Sequence, residues 1–390
     1  MLIDGREYKI NILILLMEGE IGVTVQTVET LLEGMEEGVT ISVLLNGGRS
    51  EYLRKLFSGF AAIRYYESKE NLGVAGGRNY LLKTDECEGS DIVMILDNDV
   101  VPPLDYVRGL ATFLIRHEES GIVGAVVADI KRFRDDGRIM GHYGGKGAFG
   151  NPIFRITSSR MKELIAPGLS PDDLFTIGVH PDFRFAYLSL RKVFYIIGQM
   201  LFDRFGLKLK KNYHPSLKSN SHYIELIRNG KDKYCVSNIA GCSQAFRREL
   251  LDEIGHLDDR FNPYSHEDVE FCIRSIKSGK KNYIDTNTWL FHGTDDRHNA
   301  RDPVNTARNF YRANTILASC IEPGHFRFRL TVLKLIYAMF LSELILFPMH
   351  PLSSIRILRA GLAGYRKGLE QISKTTEGTR GFKNVNSRSR

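Results

Sequence analysis

The sequence predicts an α/β fold, with a mostly parallel central sheet flanked by helices, and three observations predict it. From residue 10 short apolar runs alternate with helical segments: Ile10–Met17, Val23–Leu32, Thr40–Leu45, Glu51–Phe57, Ile63–Tyr66, Gly76–Leu82 and Ile92–Leu96. Strands that alternate with helices build βαβ units. Ile92–Leu96 contains no polar residue, the pattern of a parallel strand covered on both faces. Finally, 390 residues with 43% hydrophobic content are enough for one large core and exclude a chain that stays disordered.

Ile10–Met17 is too short to span a bilayer, and the acids of Met1–Glu7 do not fit a signal peptide, so this run is the first strand. The net charge of +7 favours acidic partners such as phosphates, nucleotides or anionic lipid. No nucleic-acid recognition motif accompanies it, and nucleic acid is not expected as a partner. The five cysteines show neither Cys-x-x-Cys spacing nor a paired framework, which fits a reducing cytoplasm.

Asn71-Leu-Gly-Val-Ala-Gly-Gly-Arg-Asn79 opens the helix that follows the strand near Tyr66. Glycines at a helix start let backbone N–H groups approach an anion, and Arg78 adds a fork of donors. The stretch lacks the Lys-Ser/Thr of a P-loop and does not follow the first strand as a dinucleotide fingerprint would.

The strand Ile92–Leu96 stops at Asp97-Asn98-Asp99. Side chains alternate along an extended chain, so the two carboxylates point the same way, about 6–7 Å apart, with Asn98 opposed. One reading is turn punctuation before Val100-Val-Pro-Pro103. The other is a site for magnesium or manganese, whose open positions accept substrate phosphates beyond the carboxyl end of the sheet. An EF-hand loop is excluded, because Pro102 and Arg108 occupy its glycine and glutamate positions.

Residues 130–235 form a long connection that includes the glycine-rich Asp136–Gly150, read from its composition as a flexible surface loop, although it resembles a stretch that lies near the acceptor in the family named below, and the aromatic Phe183–Phe205, expected to be a helical insertion. In Ser265-His-Glu267-Asp268-Val-Glu-Phe-Cys-Ile-Arg274, Val269, Cys272, Ile273 and Ile276 form one helical face. Its acids fit helix capping, with Ser265 and Asp268 spaced as a capping box, and read alone they favour that over acid–base chemistry. His292 ends an apolar run before the polar segment Gly293–Asp302, which could close over a diphosphate as a lid. Beyond residue 320, Leu330–Pro348 is apolar but carries Lys334 and Glu343, an awkward composition for a spanning helix. Ile355, Leu358, Leu362, Tyr365, Leu369 and Ile372 then make the seam of a basic amphipathic helix, suited to an anionic membrane, a neighbouring helix or a second subunit. Lys374–Arg390 is expected to be a disordered basic tail. The expected division is therefore 1–320 for the α/β domain, with 130–235 as its insertion, and 321–373 for a helical extension ahead of the tail.

Taken together, Asn71-x-Gly-x-Ala-Gly-Gly-Arg-Asn79, Ile95-Leu-Asp97-Asn-Asp99, Ile239-Ala-Gly-Cys-Ser-Gln-Ala-Phe-Arg-Arg-Glu249, Tyr264-Ser-His-Glu267-Asp268 and Trp289-Leu-Phe-His292 resemble, in this order, a family 2 glycosyltransferase with the GT-A fold, of the bacterial-polysaccharide type. The resemblance covers about residues 9–315. It implies an inverting enzyme that uses manganese or magnesium. It implies Asp268 as the general base with Glu267 beside it, and Asp97, Asp99 and His292 as metal ligands. It places Asn46, Asn71, Gly73, Gly76, Arg78, Asp97, Asn98 and Arg308 around a nucleotide-diphosphate sugar. It further implies a glycan or lipid-linked acceptor and a cytoplasmic, peripheral place at the inner face of the membrane; an oligomer is compatible with it. Two departures stand in the base pocket: Leu16-Met-Glu18-Gly replaces a proline-containing loop, and Asn46 replaces the usual acid. These keep two rivals open, an inactive scaffold of the same fold and a sugar nucleotidyltransferase.

Overall fold

The computed structural model describes residues 1–129, 143–170, 174, 223–293, 302–321, 332–333, 336–337, 340, 344 and 351–386. By its internal contacts the chain divides into two units: Met1–Arg184, Pro215–Leu257 and Phe271–Asp296 in the first, and Phe185–His214, Asp258–Glu270 and Arg297–Arg390 in the second. The aromatic stretch Phe183–Phe205 and the lid expected at 294–301 lie outside the described residues.

In the first unit, β1 (Leu2–Ile3) and β2 (Arg6–Glu7) form a small hairpin ahead of β3 (Ile10–Leu16), β4 (Val39–Asn46), β5 (Ile63–Ser68), β6 (Ile92–Leu96), β7 (Val100–Val101) and β8 (Ser120–Asp129). A second hairpin, β9 (Tyr143–Lys146) with β10 (Pro152–Phe154), precedes β11 (Lys233–Val236), β12 (Ser243–Arg247) and β13 (Lys281–His292). The central sheet has the order β11-β13-β8-β12-β6-β3-β4-β5, with β7 on β13. This is the α/β architecture that the apolar runs predict, and each expected strand is present. Parallel pairing holds for β6-β3-β4-β5 and for β8 with β13. The sheet is nonetheless mixed, because β12 lies antiparallel between β6 and β8, and β11 and β7 are antiparallel to β13. β12 enters where β6 ends, since Ser243 faces Leu96 and Arg247 faces Ile92.

Alternation along the strands explains the double core. Leu13, Leu44, Val93 and Ile95 join the apolar layer on one face, while Ile12, Ile14, Val43, Met94 and Leu96 join the layer on the other. Helices cover both faces, Ile21–Glu33, Glu51–Phe57, Gly73–Leu82 and Tyr106–Arg116 among them. Glu51–Phe57 begins where the Ser50 hydroxyl accepts from the Leu53 N–H at 3.2 Å.

The described end of the glycine-rich stretch is tied down rather than loose. Buried Glu29 on the helix Ile21–Glu33 accepts from the Phe149 N–H and, at 2.8 Å, from Asn151 Nδ2. The Phe149 ring packs on Phe57 and Phe60. A buried carboxylate has to be hydrogen-bonded, and Phe149 and Asn151 supply the donors; residues 136–142 of the stretch lie outside the described residues.

In the second unit the helices Pro303–Ile321 and Pro351–Asn386 pack together. Their contact differs from the expected apolar seam. Ala360, Gly364 and Gly368 are buried, at steps of four, while Leu358, Leu362, Tyr365 and Leu369 are only half-buried. A Cβ at 364 would lie 2.1 Å from the Arg308 carbonyl oxygen, and one at 368 would lie 3.0 Å from that of Arg312. Close backbone approach, which only the smallest residues permit, therefore sets this interface. The helix also continues to Asn386, past residue 374 where a disordered tail was expected. No proline interrupts it, and extending a formed helix is far cheaper than starting one.

Candidate functional site

The acid turn sits at the carboxyl end of β6, within the first unit. Two registers bring its partners there. Since Ser243 pairs with Leu96, the preceding residue Cys242 stands opposite Asp97, and since His292 pairs with Val100, its ring is delivered beside Asp99. His292 Nε2 lies 3.3 Å from Asp97 Oδ2 and 3.3 Å from Asp99 Oδ1. Both carboxylates thus converge on one imidazole. Asp99 and His292 are buried, whereas the Asp97 side chain is 34% exposed and forms the open side.

The electrostatics follow from that geometry. Burial pulls the His292 pKa down, but the hydrogen bonds and charges of Asp97 and Asp99 outweigh it and raise it to about 10. Without a metal ion a protonated imidazole balances the two carboxylates. A bound cation would replace that proton, since ligating imidazole is neutral.

Arg78 lies buried beneath the turn. Its Nη2 donates to Asp97 Oδ1 at 2.8 Å and to the Gly241 carbonyl at 3.2 Å. Gly241 makes room for this, as a Cβ there would lie 2.7 Å from Arg78 Nη1. The guanidinium thereby fixes Asp97 with Oδ2 directed at His292. Asn98 points the other way, as alternation requires, and donates to Glu20 Oε2 at 3.0 Å and Thr24 Oγ1 at 3.2 Å. Thr27 Oγ1 donates to the carbonyls of Asn98 and Val100, which clamps the turn from below. Glu20 also accepts from the Met17 N–H at 3.0 Å, so the unusual Met17-Glu18-Gly segment is anchored to the same turn.

Asn46 ends β4 and ties it to the glycine-rich helix start. Its Oδ1 accepts from the Leu72 N–H at 2.8 Å, and its Nδ2 donates to Asn71 Oδ1 at 3.3 Å and the Gly73 carbonyl at 3.1 Å. Both amide hydrogens are used inside the protein, leaving one lone pair of Oδ1 for any ligand. Asn71 in turn accepts from the Gly73 N–H at 2.9 Å, and Gly73 takes a positive φ of 75° to turn the chain into the helix that carries Gly76 and Arg78.

Glu267, Asp268 and Arg308 belong to the second unit. Glu267 is buried and Asp268 half-buried, in the first turn of the helix Glu267–Lys277. Asp268 Oδ1 accepts from the Val269 N–H at 2.8 Å. The entry to this helix is strained: Ser265 and His266 hold positive φ of 93° and 70°, conformations that residues with a Cβ rarely adopt. Arg308 is exposed.

Cys242 escaped the sequence reading as a ligand candidate. One donor atom each of Asp97, Cys242 and His292 lies within 4.8 Å of the others. Its signal was its position just before an antiparallel strand, which is meaningful only once the register with β6 is known. A second cluster of this density, Asp258, Glu270 and Cys320, occurs in the second unit. There Arg260 donates from Nε and Nη2 to both Asp258 oxygens. A cavity of about 520 Å³ lies at edge strand β5, with Arg54, Tyr65 and Glu67 in its lining. Arg54 and Tyr65 both bond Glu67, so its polar groups serve one another, three strands away from the acid turn.

Among known families, Glycosyl transferase family 2 matches residues 19–172. The search of curated proteins found no match. Solved structures similar to the chain include GalNAc-T7 with UDP, GalNAc and Mn²⁺, at 12% identity and a TM-score of 0.49, covering 80% of this chain and 48% of that one. They also include S. aureus TarS 1-349, at 11% identity and 0.46, covering 92% and 80%. A third is the mannosyltransferase PcManGT from Pyrobaculum calidifontis in complex with GDP-Man and Mn²⁺, at 12% identity and 0.45, covering 93% and 88%. This chain therefore spans about half the length of the GalNAc-T7 chain.

Proposed function

We infer, from the match of residues 19–172 to glycosyl transferase family 2, that this chain is a metal-dependent, inverting glycosyltransferase, and that it moves a hexosyl group from a nucleotide-diphosphate sugar to a hydroxyl of a glycan or lipid-linked acceptor. The observation that carries the reading is the meeting of Asp97 and Asp99 with His292, whose Nε2 lies 3.3 Å from each carboxylate, at the end of a central strand. Two carboxylates and an imidazole suit manganese or magnesium with positions left for phosphate oxygens. When bound, such an ion offsets the charge developing on the leaving diphosphate.

The chain's own residues do the rest. Arg78 holds Asp97 in place, and Asn98 anchors the turn through Glu20 and Thr24. Asn46, Asn71, Gly73 and Gly76 frame the donor, with the helix start offering N–H groups to its phosphates, and Arg308 adds a cation. Asp268 takes the proton of the acceptor hydroxyl as its oxygen bonds to the anomeric carbon. The bond from that carbon to the diphosphate oxygen breaks, its electron pair leaves with the diphosphate, and the centre inverts. Glu267 steadies the strained entry to the helix.

We also place the protein at the cytoplasmic face of a membrane, in a polysaccharide pathway. Among the described residues no helix is long and apolar enough to cross a bilayer. Leu333, Tyr337, Phe340 and Leu344 are nevertheless helical and exposed, at steps of three and four, in a basic chain. Co-sedimentation with anionic but not neutral vesicles supports this contact, and equal recovery with both ends it.

The test of function is a melting-temperature screen of nucleotide sugars with and without manganese, followed by product analysis. A metal-dependent rise and release of nucleoside diphosphate are expected. Release of pyrophosphate would make the protein a nucleotidyltransferase, and donor binding without turnover in the presence of acceptors would make it a scaffold.

A further inference from the structure

We propose that Cys242 turns the metal centre into a site for thiophilic divalent ions: Asp97, Cys242 and His292 together take zinc or cadmium, in competition with the oxygen-preferring ion of the reaction. The proposal rests on reading the acid turn as a metal centre, and adds a ligand that this reading does not use.

The three donor atoms lie within 4.8 Å of one another. Around zinc, with bonds of ~2.0–2.3 Å, tetrahedral donors stand ~3.5 Å apart, so closure needs side-chain movements of about 1 Å. Arg78 occupies Asp97 Oδ1 and leaves Oδ2 turned toward His292. The thiol and imidazole are buried and Asp97 is partly exposed, which gives an ion an entry on the carboxylate side. Three protein donors with an open fourth position form the usual arrangement of a reactive zinc site. Asp99 completes the hard set and Cys242 the soft one. Because both sets use Asp97 and His292, they exclude each other, and a softer ion gains from the thiolate what it loses from Asp99. Cys87 and Cys272, by contrast, lie within an apolar core layer, and beside Cys320 the Asp258 carboxylate carries Arg260 on both oxygens.

The test titrates cadmium into the full metal-free chain while following the thiolate-to-cadmium charge-transfer absorption. A band that saturates at one equivalent, recedes with excess manganese and disappears in Cys242→Ser is expected. The ratio of cadmium to manganese affinity should fall at least tenfold in that variant, with circular dichroism confirming its fold. If the variant does not fold, the cadmium NMR shift of the unmodified chain decides, since one sulfur among nitrogen and oxygen donors differs from nitrogen and oxygen alone. A band that persists in Cys242→Ser, or none in a chain that binds manganese and transfers sugar, overturns the proposal. A thiolate band without sugar transfer would leave this site standing and remove the glycosyltransferase reading instead.

Discussion

Two clusters in this protein have nearly the same composition and a different fate. Asp97, Cys242 and His292 in the first unit, and Asp258, Glu270 and Cys320 in the second, each bring three candidate donors within 4.8 Å. In the second, Arg260 covers both oxygens of Asp258, and that carboxylate raises the arginine pKa further. In the first, Arg78 covers one oxygen of Asp97 and leaves the other for His292. The two clusters therefore differ in how much of their acid is already engaged by an arginine. On the metal reading proposed above, that difference decides which cluster has lone pairs open to a cation.

The largest expected effect tests what lies beside the second cluster. Asp268→Asn should cut transfer by ~10²–10⁴-fold, the contribution of a positioned base, with manganese and donor binding retained in calorimetry. Near-normal turnover would take Asp268 out of the chemistry. Next, His292→Gln should weaken manganese binding ~10–100-fold or more, the range found on losing even an outer partner of a metal site. Excess chelator should abolish transfer in the unmodified enzyme, and full activity under chelation would erase the contrast between the clusters. Gly364→Leu probes the second unit alone: the side chain would meet the Arg308 carbonyl and cost about 1–3 kcal/mol, visible as a lower denaturant midpoint. The smallest effect comes from Arg260→Met, which should cost ~1 kcal/mol, since both ion-pair partners retain some solvent contact. That variant should gain a cadmium-dependent rise in melting temperature; if it gains none, the arginine is not what closes the second cluster.

The strand pattern was legible because burial on both faces of β3, β4 and β6 demands unbroken apolar runs, and Asp97-Asn98-Asp99 stood out by ending one. Alternation also correctly sent Asn98 away from the two acids. Less legible was the work of Asn46 and Arg78, both read as donor contacts. Each is engaged by the protein, Asn46 in joining β4 to the glycine-rich helix and Arg78 in orienting Asp97. The second unit shows the same limit. Periodicity located the helix from residue 351 but chose its large apolar residues as the seam, whereas the backbone contact runs through Gly364 and Gly368.

By itself, then, the sequence determined the alternating architecture, the place where β6 stops and the ordered motifs that resemble those of a glycosyltransferase, since each is written in neighbouring residues. Only the tertiary structure decided that Cys242 stands opposite Asp97 and that His292 reaches both acids. Those facts depend on the registers of β12 against β6 and of β13 against β7, which join residues more than a hundred positions apart. No local pattern encodes such a register, because a slip of one residue would turn every side chain of the strand to the opposite face.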